Sequence, residues 1–231
     1  MKKVIILLLI LFTSVGYLFA QWKFSAIAGP SVTTFYGSDK KDWGGVGENP
    51  KIVFRFHIGL LAEHPINDKL SATGGIRLAT KGAAYSGEAE YYDPQTQEFE
   101  MISVKFSKAL SYIDIPIYLT YITSPKWNLI AGIQPGILVS AKVKNDENAQ
   151  KAYDLPEKED VKDYYSTFDL AILLGPQYQL NEKIALRILF KPGILKIAKG
   201  EAYDMNGGME ETKYKVMNTG FDFSFIYTFK Q

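Results

Sequence analysis

From residue 21 to the C-terminus, apolar and polar side chains exchange at every second position, and helical spacing is rare. The last stretch shows the pattern undiluted: Phe221, Phe223, Phe225, Tyr227 and Phe229 alternate with Asp222, Ser224, Ile226 and Thr228. Likewise Phe168, Leu170, Ile172, Leu174, Pro176, Tyr178 and Leu180 share a face, opposite Asp169, Ala171, Gly175, Gln177 and Gln179. A period of two sends alternate residues to opposite faces of a strand. Eight strands are predicted, at 21–35, 51–63, 69–83, 102–122, 126–142, 164–180, 183–199 and 213–229. Pro30, Pro116, Pro135, Pro176 and Pro192 fall inside them, and since proline cannot donate to a ladder, bulges or bends are predicted there.

The connections alternate as well. HPIND, TSP and NE are tight turns, whereas the links at 36–50, 84–101, 143–163 and 200–212 are long. An even strand count with short turns at one end and long loops at the other is the pattern of an up-and-down barrel in an outer membrane, with the turns in the periplasm. PGILVSAK at 135–142 and PGILKIAK at 192–199 repeat one another toward two of the long loops, which points to hairpin duplication.

The N-terminus places Lys2 and Lys3 before an apolar run from Val4 to Phe12, then Ala20 and Gln21. This order predicts a signal peptide over 1–20, cut after Ala20, and one barrel domain over 21–231. No later run reaches the roughly 18 apolar residues of a spanning helix. Any membrane crossing is therefore by strands.

Alternation alone does not say which face is outside, because a secreted lipocalin-like binder turns the same apolar face inward. Length favours lipid: Phe221 to Phe229 covers about 27 Å at ~3.4 Å per residue, or roughly 20 Å of height once tilted. Trp22, Tyr121, Trp127, Tyr178 and Phe229 sit near strand ends, where an interfacial girdle belongs. The opposite face carries both signs of charge in Arg55, Arg77, Asp114, Asp169, Arg187, Lys191 and Asp222. An eight-stranded barrel is only wide enough to be filled by side chains, so these residues are expected to pair across the lumen rather than line a general pore. The fold expected is all-β, an eight-stranded antiparallel up-and-down transmembrane β-barrel.

Composition adds three points. Aromatics make up 14% of the chain, enough to clothe a lipid-facing surface, and Cys is absent, which excludes disulfides and thiolate chemistry. The four long loops hold 19 acidic and 6 basic residues against a net charge of +1 for the whole chain, so the barrel itself is basic. Lysines gather near the loop-side strand ends at Lys51, Lys81, Lys105, Lys108, Lys142, Lys196, Lys199, Lys213 and Lys215. Such a rim is placed to meet anionic lipid head groups. The acidic, tyrosine-bearing loops suit a divalent cation or a partner, although no EF-hand spacing is present. His57 is expected in the lumen and His64 at a turn, neither with Ser or Asp at a telling spacing. No phosphate loop, metal-ligand cluster or nucleic-acid signature is found, and no catalytic, cofactor-binding or metal residue is assigned.

YIDIPIYLTY (Tyr112 to Tyr121), followed by a short turn and LIAGIQPGI, resembles the motif of the PorT-like outer-membrane β-barrel family of Gram-negative bacteria. The similarity extends over FDLAILLGPQYQL and the aromatic C-terminus, although the chain ends in Phe229-Lys230-Gln231 rather than on an aromatic. The resemblance implies an outer-membrane location and association of some members with a protein-secretion and gliding apparatus. The expectation is a monomer among outer-membrane lipids, with a structural or interaction role through its external loops. A secretion accessory is the alternative, and a narrow solute channel comes third.

Overall fold

The structure is a computed structural model and describes residues 22–203 and 209–230; of 201–203, 209–213 and 230 only the backbone is described. The expected leader over 1–20 lies outside the described residues. Strands run as β1 (Lys23–Tyr36), β2 (Val53–Asn67), β3 (Leu70–Asp93), β4 (Glu98–Asp114), β5 (Ile117–Ile122), β6 (Trp127–Asn145), β7 (Lys158–Asp160), β8 (Phe168–Gln179), β9 (Ile184–Phe190), β10 (Ala198–Tyr203), β11 (Met209–Tyr214) and β12 (Met217–Lys230). Each wall strand pairs antiparallel with the next, β4 and β5 together forming one interrupted strand, and β12 returns to pair with β1. The result is a ring of eight. No described helix is long and apolar enough to cross a membrane, which says nothing against crossing by strands.

The apolar face points out. Phe221, Phe223, Phe225, Tyr227 and Phe229 are exposed, while Asp222, Ser224 and Ile226 between them are buried. The same holds on β2, where Phe54 and Phe56 stand 75% and 72% exposed on either side of the inward Arg55. Turn chemistry fixes the short connections: Asn67 Oδ1 accepts from the Lys69 amide at 2.9 Å, and Asn181 Oδ1 accepts from the amides of Lys183 and Ile184 at 2.9 and 3.0 Å. Tyr121, Trp127 and Phe229 are exposed at this turn end, with Trp127 against Tyr178 at 4.9 Å. A second aromatic group that the strand-end reading missed, Phe54, Phe168, Phe190 and Phe221, is exposed toward the loop end.

The prolines behave differently from expectation. Only two break a strand: Pro116 separates β4 from β5 without shifting register against β6, and Pro192 follows the end of β9. Pro30, Pro135 and Pro176 stay in line opposite Phe56, Leu170 and Leu129. The register shifts fall instead beside Phe24/Ser25, Pro65/Asn67 and Ser111/Tyr112.

The long connections are more ordered than loops. Residues 84–101 were expected as a loop, yet β3 and β4 continue as a paired ladder from Arg77↔Asp114 out to Asp93↔Glu98. Between β6 and β8 lies helix α1 (Glu147–Tyr153), started by Asp146, whose side chain accepts from the Ala149 amide at 2.8 Å. It rests on β4 through Asn148 Nδ2 donating to the Ser103 carbonyl at 2.8 Å. The expected strand at 183–199 is cut short: β9 ends at Phe190, and β10 leaves the wall to pair with β11 in a separate hairpin.

An arginine on the lipid face should cost free energy in a depth-dependent way. Phe225→Arg, at the middle of the outward stretch, is expected to destabilise the barrel by about 2–4 kcal/mol, and Phe229→Arg, at the turn end, by about 0–1 kcal/mol. Urea titrations in lipid vesicles give both numbers; equal costs would mean that this face does not lie in a bilayer.

Candidate functional site

The lumen is organised in three layers. The middle one holds Arg77, Lys81, Asp114, Asp169, Lys191 and Asp222, all buried. Register brings them to one height: Arg77 lies opposite Asp114, Asp114 opposite Gly136, and Gly136 opposite Asp169. Gly136 leaves room for this meeting, because a Cβ there would lie 2.6 Å from Asp114 Oδ1 and the carboxylate would have to shift. Arg77 reaches Asp222 Oδ2 at 3.0 Å, Asp114 Oδ2 at 3.4 Å and Gln134 Oε1 at 2.7 Å. Lys81 bridges Asp114 and Asp169 at 3.0 and 2.9 Å, and Lys191 meets Asp222 at 2.6 Å. Three cations face three carboxylates, so the layer is neutral as a whole.

Two residues expected in this network stand apart from it. Arg55 lies on the loop side, donating through Nη2 to Ser107 Oγ at 3.1 Å and to the Lys108 carbonyl at 3.2 Å. Arg187 lies on the turn side and donates twice to Gln177 Oε1, at 2.9 and 2.7 Å. Strand alternation put both in the lumen; the height along each strand, which sets the partner, depends on register. Conversely, Lys81 and Lys108 do not belong to the lysine rim. Lys81 is the centre of the charged layer, and Lys108 turns inward, donating to the Trp43 carbonyl and lying 5.1 and 5.2 Å from the Trp43 and Tyr85 rings. Lys51, Lys105, Lys142, Lys196 and Lys215 are exposed at the loop side, Lys199 is half-buried, and of Lys213 only the backbone is described.

The structure also assembles a group that sequence spacing did not show. His57 Nδ1 lies 2.9 Å from Ser31 Oγ and its Nε2 2.9 Å from Ser224 Oγ, while Ser31 donates to Asp222 Oδ1 at 2.7 Å. The residue types are those of a hydrolase, but the His57 and Asp222 side chains are fully covered, so no substrate reaches them. The only signal available was that Ser31, His57, Asp222 and Ser224 all fall on inward positions.

Above this layer the lumen is closed by an apolar plug. Phe35, Tyr85, Leu110, Tyr112, Leu138, Val143, Tyr165, Ile197 and Val216 form one buried cluster, with Trp43 and Val46 of the first loop packed against it. Trp43 Nε1 donates to Tyr165 Oη at 3.1 Å, and burial pushes the Tyr165 phenol pKa up. Tyr85 Oη donates to the Lys40 carbonyl at 2.9 Å, which ties the first loop down. Asp39 clasps it from outside, accepting from Ser38 and, at 2.7 Å, from the Lys215 amide; these bonds hold its carboxyl below the usual range. Below the charged layer the lumen opens toward the short turns as a cavity of about 250 Å³. No group of three or more His, Asp or Glu among the described residues could hold a metal ion.

Asp222→Asn should leave Lys191 and Arg77 under-compensated and cost about 3–5 kcal/mol. Gln177→Leu, beside an arginine at the open cavity, should cost only about 1–3 kcal/mol. Urea midpoints of the refolded protein order the two; a reversed order would mean that the middle layer is not the buried one. The Asp39 clasp has a pH sign: its folded pKa lies below 3.8, so its contribution is present above that value and lost as pH falls through the folded pKa. Protection of the Lys215 amide should fall over that window and become independent of pH in Asp39→Asn.

A model for the outer membrane protein β-barrel domain matches residues 16–199. No curated protein matches the chain. Among solved structures, Ail, the attachment invasion locus protein of Yersinia pestis, is 12% identical, with 90% of this chain and 98% of that one covered and a TM-score of 0.43. Neisserial surface protein A is 13% identical over 89% and 97%, with a TM-score of 0.47. The Escherichia coli outer membrane protease OmpT is 8% identical over 90% and 96%, with a TM-score of 0.38. With a closed ring of eight strands, an apolar exterior and a domain match over most of its length, the chain belongs to the outer-membrane β-barrel domain family.

Proposed function

We propose that this protein is a monomeric, non-enzymatic barrel that acts as a surface platform, its working parts being the loop-side extensions. The observation that carries this reading is the filled lumen: among the described residues an apolar cluster and a neutral charged layer stack one above the other inside it. The extension of β3 and β4 presents Tyr92, Phe99 and Met101 exposed, with Tyr92 and Phe99 rings 5.2 Å apart, among Glu88, Glu90 and Glu100. Aromatic area framed by charge is the composition of a contact surface. Lys105, Lys142, Lys196 and Lys215 then face anionic head groups below it. The chain reaches this location after cleavage of residues 1–20 following Ala20, which the mass of the mature protein checks.

A second reading, an accessory role in protein secretion within the PorT-like family, rests on YIDIPIYLTY and LIAGIQPGI. Those two segments supply Asp114 and Gln134, so the motif describes the charged layer and the hairpin that carries it. Loss of secreted cargo on deletion separates this role from a general surface platform.

Two measurements test the platform. In planar bilayers the purified protein should give no single-channel steps; a resolvable conductance would restore the channel reading. In intact cells, a photo-crosslinking side chain at Phe99 should yield a discrete protein adduct and one at Phe225 lipid adducts alone. Lipid adducts alone at both positions would sink the proposal.

A further inference from the structure

The cavity on the turn side is built differently from the rest of the lumen. Every cation of the middle layer has a carboxylate; Arg187, only 4% exposed, forms no ion pair among the described residues. Its Nε and Nη2 are both taken by the single oxygen Gln177 Oε1, and Nη1 has no partner among the described residues. Its guanidinium carbon sits 4.8 Å from the centre of the Tyr118 ring, which holds the plane in place without neutralising it.

Four hydroxyl-bearing residues line the same space. Ser71, Thr73, Tyr118 and Thr120 are no more than 4% exposed, and their buried hydroxyl oxygens have no hydrogen-bond partner among the described residues. Four orphaned hydroxyls in one wall are a departure from the rule that buried polar groups are paired. Their origin is topological: Ser71 and Thr73 on β3 lie opposite Thr120 and Tyr118 on β5, so two adjacent pairs present all four side chains inward. Lys23 and its cross-strand neighbour Glu63 stand at the mouth with Glu182, so Arg187 is the one buried charge among the lining residues, and the space of about 250 Å³ is room for about eight waters at ~30 Å³ each.

We propose that this cavity is a binding site for a small hydroxylated anion, such as a sugar acid or hydroxy acid, entering from the periplasm. The anionic group pairs with the Arg187 guanidinium. The hydroxyls of the ligand meet the wall of Ser71, Thr73, Tyr118 and Thr120, each able to donate or accept. Because the charged layer closes the far side, the ligand enters and leaves by the short-turn end and is not passed through the barrel.

The test uses the full chain refolded in lipid vesicles, with D-gluconate as the probe, D-glucose as its neutral counterpart and inorganic phosphate as an anion without the polyol. Ionic strength is held constant with sodium chloride, since exposed lysines respond to salt. Gluconate should raise the temperature at which the unheated gel form is lost, saturably; phosphate should do so less, and glucose not at all. Arg187→Gln should weaken the gluconate effect about tenfold or more, and Tyr118→Phe, which keeps the ring and removes the hydroxyl, about fivefold. Each variant is compared with itself without gluconate, and Tyr118→Phe carries the test should Arg187→Gln not refold. No saturable shift with gluconate would mean a cavity filled by water alone. A shift that survives both substitutions would place binding elsewhere, and either result overturns the site.

Discussion

Everything in this molecule follows from the pairing of β12 with β1. In hydrocarbon an unpaired strand edge leaves a row of amides and carbonyls without water, at several kcal/mol each, so a sheet survives there only as a closed ring. The ladder from Phe24↔Lys230 to Tyr36↔Met217 removes the last edge. Closing at eight strands then fixes a bore about as wide as the side chains that line it. The interior must therefore be packed, and since the outward positions hold the apolar residues, the inward ones are left with whatever the alternation allots them.

What they hold is charge, and the manner of its burial decides how the layers differ. An isolated buried ion is far more costly than a paired one, and a buried pair is itself roughly neutral against apolar packing. The six ionised residues of the middle layer are thus better explained as a registry device than as a source of stability. Arg77 touches Asp114, Gln134 and Asp222, which come from three different strands. A slip of one residue in any of them would turn its polar group into lipid. Gly136 shows how specific the fit is, since its missing side chain is the gap in which Asp114, Lys81 and Asp169 meet.

The period of two made the ring and its outward face legible, because burial on one side of a strand is a local property of sequence. Height along the strands was not. Lys81 reads as a rim residue by its place near the end of an expected strand, but β3 runs on to Asp93 and leaves it in mid-lumen. The octapeptides at 135–142 and 192–199 make the same point: the first lies within β6, while in the second the regular strand stops and Gly193 forms only an isolated bridge to Ala171, donating on its other side to the Asn218 carbonyl. Near-identical sequence takes two conformations because different neighbours offer different partners. The plug was hidden for another reason: Trp43 and Val46 lie in a Gly-rich loop with no periodicity, and only the aromatic side chains waiting in the lumen give them a place to be buried.

The two ends of the bore are consequently unlike. On the loop side, apolar residues from the first loop, the segment after α1 and the segment after β9 converge and exclude water. On the turn side, tight turns of a few residues have no chain to spare for a lid, and the polar wall around Arg187 and Tyr118 stays open. The charged layer between them is neutral and cross-linked. Solute traffic through such a barrel would require three cations and three carboxylates to separate in a low-dielectric bore. The proposed platform and the proposed pocket therefore lie at opposite ends of the bore, with the charged layer between them.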